Sequence, residues 1–117
     1  MKLTGIVTGF VAAACVIGFT AGGALAQDGK AIYQKECAKC HGDSGAGDGA
    51  MGQKLKDKPS DWTKGGGGLK DFDDAKITES IKKGGGAVGK SKAMPSYPKL
   101  SDAEVQSIVA HVKTLKK

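Results

Sequence analysis

Two cysteines three positions apart, Cys37 and Cys40, followed at once by His41, constrain this chain more than any other feature. They sit near the head of a short stretch that holds most of the chain's 19 glycines. Setting aside residues 1–26, which read differently, leaves 91 of the 117 residues, enough for one domain. A domain of that size buries too little surface to be secure unaided. Chains near this length commonly recruit a metal, a disulfide or a cofactor as a staple. Cys15 lies in the first 26 residues, so any staple of the 27–117 domain must involve Cys37 and Cys40.

Residues 1–26 have the pattern of a secretory leader. Lys2 is their one charge, the run from Leu3 to Ala26 is uncharged, and Ala24-Leu25-Ala26 offers a small-residue cleavage site. The mature chain is therefore expected to start at Gln27 and to work in the periplasm. The alternative is an uncleaved membrane anchor, because the apolar run exceeds the ~18 residues that can span a bilayer. Gly5, Gly9, Gly18, Gly22 and Gly23 weaken that reading. Cys15 reads as a small apolar residue of the leader.

Without Lys2, 17 basic residues face 12 acidic ones, a net charge of +5, and every basic residue is lysine. Nucleic-acid readers lean on arginine forks, so an arginine-free chain argues against that class. Lysine point charges suit loose, salt-sensitive docking to redox partners with acidic surfaces.

Three helices and no period-two strand pattern can be read, which makes the fold class all-α. The first is expected to begin near Asp28 as N-cap and to carry Ala31, Ile32 and Tyr33 toward the cysteines. A second fits Asp73 to Lys83, with Phe72, Ile77 and Ile81 on one side and Gly84 as its stop. The third opens on the capping box Ser101-Asp102-Ala103-Glu104, with Leu100 stapling to Val105. Its stripe of Val105, Ile108, Val109, Val112 and Leu115 has helical spacing. The glycine runs between the helices are conformationally costly unless something large organises them.

In C-x-x-C-H the two thiols can add to the two vinyl groups of a haem, and the histidine is placed to ligate its iron. About one helical turn separates Cys37 from Cys40, which brings both sulfurs to one side, and His41 follows directly. A thioredoxin-like pair would need a βαβ setting. A zinc site would need a fourth ligand such as His111. A disulfide across so short a loop would stabilise little. An export leader together with the adjacent histidine favours one covalent haem c.

Fast electron exchange calls for a sixth iron ligand, and Met51, Met94 and His111 are the candidates. Met94 is preferred: Pro95 and Pro98 stiffen its loop, and the capped last helix anchors the segment. Met51 lies in a glycine run where filling a gap is the simpler role. His111 lies on the flank of an apolar stripe.

At this point the chain resembles the class I c-type cytochromes, in their small bacterial single-haem form. The likeness rests on Gly29-Lys30-Ala31-Ile32-Tyr33, Cys37-Ala38-Lys39-Cys40-His41-Gly42, Met94-Pro95-Ser96-Tyr97 and Leu100 to Leu115. It implies crossed first and last helices with Gly29 at the close approach, and His41 and Met94 on opposite iron faces. It also implies an aromatic about where His111 stands. By the same likeness Pro59 would offer its carbonyl to the free ring nitrogen of His41, and Trp62 its indole N–H to a haem propionate.

Gly84-Gly85-Gly86-Ala87-Val88-Gly89-Lys90-Ser91 fits a phosphate-loop pattern and Gly47 to Gly52 fits G-x-G-x-x-G, yet neither has the strand context that gives these patterns meaning. Nucleotide binding is not expected. The leading functional reading is a periplasmic single-electron carrier, not an enzyme. The alternatives are a haem-bearing subunit of a larger membrane dehydrogenase or oxidase, and a haem enzyme or gas sensor with a displaceable sixth ligand.

Overall fold

In the computed structural model the described residues are 28–117, so the leader and its cleavage site lie outside them. Helix α1, described over residues 28–41, contains a π turn at Tyr33–Cys37 and ends in the α turn Ala38–His41. Asp28, expected as its cap, is already helical. Helix α2 spans Asp74–Lys83 and α3 spans Asp102–Leu115, with short 3-10 turns at Gly52–Lys54, Gly67–Leu69 and Gly85–Val88. Among the described residues there is no strand, which agrees with the all-α expectation. No helix among them is long and apolar enough to cross a membrane.

Both later helices start and stop where their side chains dictate. The Asp73 carboxylate accepts the Lys76 N–H at 2.8 Å, satisfying one of the free N–H groups at the start of α2. Asp74 in its first turn and Lys82 and Lys83 in its last suit the helix dipole. Gly84, at φ +90°, ends it. At α3 the Ser101 hydroxyl accepts the Glu104 N–H at 3.1 Å, and Leu100 packs on the core beside it.

Tyr33, Val105, Ile108 and Val109 are fully buried, with Ile77, Ile81, Val112, Trp62 and Leu69 around them. Each such aliphatic side chain contributes roughly 1.5–3 kcal/mol through burial. The crossing of α1 and α3 is tight at Gly29, where a Cβ would fall on the Ser107 carbonyl. Any side chain there would wedge the two backbones apart, so the expected close approach is present.

The glycine loop after α1 is hydrogen-bonded back onto the end of that helix. The last four carbonyls of a helix lack partners within it. Here the loop supplies them all: Gly42 donates to Ala38 (2.8 Å), Met51 to Lys39 (2.9 Å), Gly49 to Cys40 (3.2 Å) and Gly47 to His41 (2.8 Å). Gly49 must be glycine because a Cβ would strike the Lys39 and Ala38 carbonyls.

Candidate functional site

One cavity of about 340 Å³ lies between α1, α2, α3 and the loop preceding α3. That is within the ~300–1,000 Å³ usual for small-molecule sites. Cys37, Cys40 and His41 enter it from the end of α1, and Met94 from the loop between α2 and α3. Its walls include Leu55, Trp62, Leu69, Phe72, Ile77, Ile81, Ile108 and Val112. Ile77 and Ile81 therefore serve the cavity as well as the core, a double duty that an apolar stripe in the sequence cannot reveal.

His41 stacks on Trp62, ring centroids 4.5 Å apart and planes 27° from parallel. Among the described residues its buried Nδ1 has no hydrogen-bond partner. Burial holds its pKa down to about 4, so the imidazole is neutral at pH 7 and keeps a lone pair for a metal. Pro59 lines the same cavity, but its carbonyl does not reach Nδ1, which corrects the expected Pro59–His41 bond. Instead that carbonyl lies against Gly47. Trp62 is buried and its indole orients the histidine ring.

Burial, reinforced by Glu36 and Cys40 and opposed by Lys39, pushes the Cys37 thiol up to about 11. A redox dithiol of the thioredoxin kind needs a lowered thiol pKa, so that reading fails. Cys37 and Cys40 form no disulfide. Among the described residues no three His, Cys, Asp or Glu side chains gather as metal ligands, which removes the zinc reading.

Met94 is half-buried on the cavity wall. The segment that mimics a phosphate loop turns out to brace it: Gly85 N–H donates to the Met94 carbonyl at 3.1 Å, and Met94 N–H to the Ser91 carbonyl at 3.3 Å. The N–H groups of Gly85, Ala87, Gly89 and Lys90 are all engaged within the loop, so these four do not cradle an anion. Those of Gly47, Gly49 and Met51 are engaged by α1 in the same way. Met51 itself is 54% exposed and absent from the cavity wall. His111 faces away from the cavity chemistry, edge-on to Tyr33 at 5.0 Å, and so keeps an aromatic contact where the cytochrome likeness implied one.

Two contacts were not legible beforehand. The Tyr33 hydroxyl donates to the Gly42 carbonyl at 2.7 Å, and the Tyr97 hydroxyl to the Glu36 carbonyl at 3.1 Å. Taken together, paired thiols, a neutral imidazole, a thioether and apolar walls fit a covalently held haem better than any other group weighed for this chain.

The family model described as "Cytochrome C oxidase, cbb3-type, subunit III" matches residues 24–112. The chain is 32% identical over 96 residues to the Cbb3-type cytochrome c oxidase subunit CcoP of Azospirillum brasilense, covering 79% of this chain and 29% of that protein. It is 35% identical over 92 residues to the Cbb3-type cytochrome c oxidase subunit FixP of Azorhizobium caulinodans, covering 77% of this chain and 27% of that protein. The chain thus spans less than a third of the length of these relatives. The expectation of a chain standing outside any enzyme is overturned, because the proteins it matches are subunits of an oxidase.

Proposed function

The chain belongs to the cytochrome c family of cbb3-type oxidase subunit III, and from that premise we propose that it is the haem-bearing electron-transfer module of a membrane oxidase. The cavity carries this reading, because it joins Cys37, Cys40 and His41 to Met94 across more than fifty residues of sequence.

Cys37 and Cys40 would hold one haem c through thioether bonds, and His41 and Met94, which line the same cavity, would ligate its iron. When bound, that haem supplies a one-electron iron couple, with Met/His ligation raising its potential. The chain's own part is positional and electrostatic. Burial keeps His41 unprotonated, Trp62 fixes its ring plane, and the Gly85–Val88 turn holds the Met94 loop against the cavity. Aliphatic walls exclude water, which limits the solvent reorganisation that accompanies each electron transfer. Pro59 shapes the wall beside His41. The domain works on the outer side of the cytoplasmic membrane, and exposed lysines at the cavity, Lys39, Lys58 and Lys90, meet an acidic partner surface.

The test is a tagged chain made with its haem-attachment machinery. The denatured protein should retain haem in a ratio of one, and its detergent-solubilised form should carry oxidase subunits. Membranes lacking the chain should consume oxygen more slowly and recover when it is restored. A chain that purifies without oxidase subunits, from membranes whose oxygen uptake is indifferent to it, sinks the oxidase reading.

A further inference from the structure

The two hydroxyl contacts at the cavity bracket the attachment motif. Glu36 immediately precedes Cys37 and Gly42 immediately follows His41, and each carbonyl accepts one tyrosine hydroxyl. The chain's two tyrosines are both used this way. Tyr33 belongs to α1 itself, so its bond is local to that helix and its exit. Tyr97 comes from the opposite side of the cavity, three positions beyond Met94, and reaches across 61 residues of sequence.

The turn that Tyr97 grips is irregular. Through Tyr33–Cys37 the helix is widened, with Ala38 N–H donating to the Tyr33 carbonyl five residues back. Such π turns loosen the regular ladder and concentrate at functional sites. Tyr97 is held in turn by its own N–H, which donates to the Ile81 carbonyl of α2 at 2.9 Å. A chain of contacts therefore runs from the end of α2 through Tyr97 to the residue before Cys37, with Met94 on the same short loop.

We propose that Tyr97 is a positioning residue: its hydroxyl pins the Met94 loop to the π turn before Cys37, holding the methionine sulfur in place opposite the His41 side. The inference rests on Met94 as the sixth ligand. Without that bond the loop keeps its proline-stiffened backbone but loses the one side-chain hydrogen bond that, among the described residues, ties it to the attachment helix, and an outside ligand displaces the methionine more easily.

Imidazole titrated into the oxidised holoprotein reads this directly through the change in iron absorption. Tyr97→Phe, which removes one oxygen, should lower the imidazole concentration at half-displacement about fivefold, the worth of one net hydrogen bond. Thioether attachment, measured by mass, should stay complete. Val109→Ala, a core substitution on α3 away from the cavity wall, serves as the stability control. It should lower the thermal midpoint at least as much as Tyr97→Phe while leaving the imidazole midpoint unchanged. The proposal is overturned if Tyr97→Phe leaves that midpoint unchanged, or if Val109→Ala shifts it equally. Met94→Ala tests the premise separately: if wild type binds imidazole as tightly as Met94→Ala does, Met94 is not the ligand and the positioning role falls with it.

Discussion

His111 occupies a compromise position, edge-on to the buried Tyr33 yet partly open to water. Burial and, after it, the nearby Lys30 hold its pKa below the ordinary histidine value. A histidine whose folded pKa lies below its unfolded value opposes folding when it charges. Its cost to stability is therefore absent above about pH 6.5 and grows as pH falls toward the folded pKa. His111→Phe should keep the edge contact, add about 0.5–1.5 kcal/mol of aromatic packing, and flatten the loss of stability as pH falls below about 6.5. Denaturant melts of the holoprotein at several pH values check both effects. At this scale the sequence spoke unevenly. That Cys37, Cys40, His41 and Met94 would share one cavity could be read from the sequence, because such residue types are rare and their order distinctive. The Tyr97–Glu36 bond was not, since a single hydroxyl reaching across 61 residues leaves no local trace. The Pro59 carbonyl was misassigned for a related reason: the loop between His41 and Pro59 sets its direction, and Gly47 takes up that space.

The starts of α2 and α3 were the most legible feature, because caps are local, whereas Asp28, expected to cap α1, is already helical. Asp73 and Ser101 bond the N–H groups three residues on, as their positions require. Ser101→Ala should cost about 1 kcal/mol in chemical denaturation, by leaving an N–H of α3 without its acceptor. The helix crossing was less local and turns on one missing atom. A Cβ on residue 29 falls on backbone rather than on a flexible side-chain tip, so α1 and α3 have to separate. Gly29→Ala should therefore cost about 2–3 kcal/mol, despite alanine's better helix propensity. A stability equal to or above wild type in the same melts would show that the two helices do not press together there. What the sequence concealed at this scale was the organisation of the glycine loop 42–52. Periodicity says nothing about which N–H meets which carbonyl, and the pairing follows from the four free carbonyls at the end of α1.

Across the whole molecule, charge and cavity coincide in a way that composition alone could not place. Every basic residue of 27–117, whose net charge is +5, is lysine, and Lys39, Lys58 and Lys90 stand exposed at the cavity proposed to hold the haem. Phe72, on the same wall, has the ammonium groups of Lys76 and Lys90 at 5.6 and 5.5 Å from its ring centroid. The ring's π system attracts each ammonium. A positive field centred on the electron exit accelerates encounter with an acidic partner, and salt erases it as the screening length shrinks from ~30 Å at 0.01 M to ~3 Å at 1 M. The bimolecular rate of electron exchange with an acidic partner should therefore fall about tenfold or more over that range of salt. Lys90→Glu should slow the exchange several-fold at low salt and converge on wild type at high salt, because salt screens the steering charge that the substitution reverses. Lys35→Glu makes the same change of net charge on an exposed residue outside the cavity wall. If both variants slow the reaction equally in stopped-flow measurements, net charge governs encounter. If Lys90→Glu alone does, the cavity mouth is the docking face.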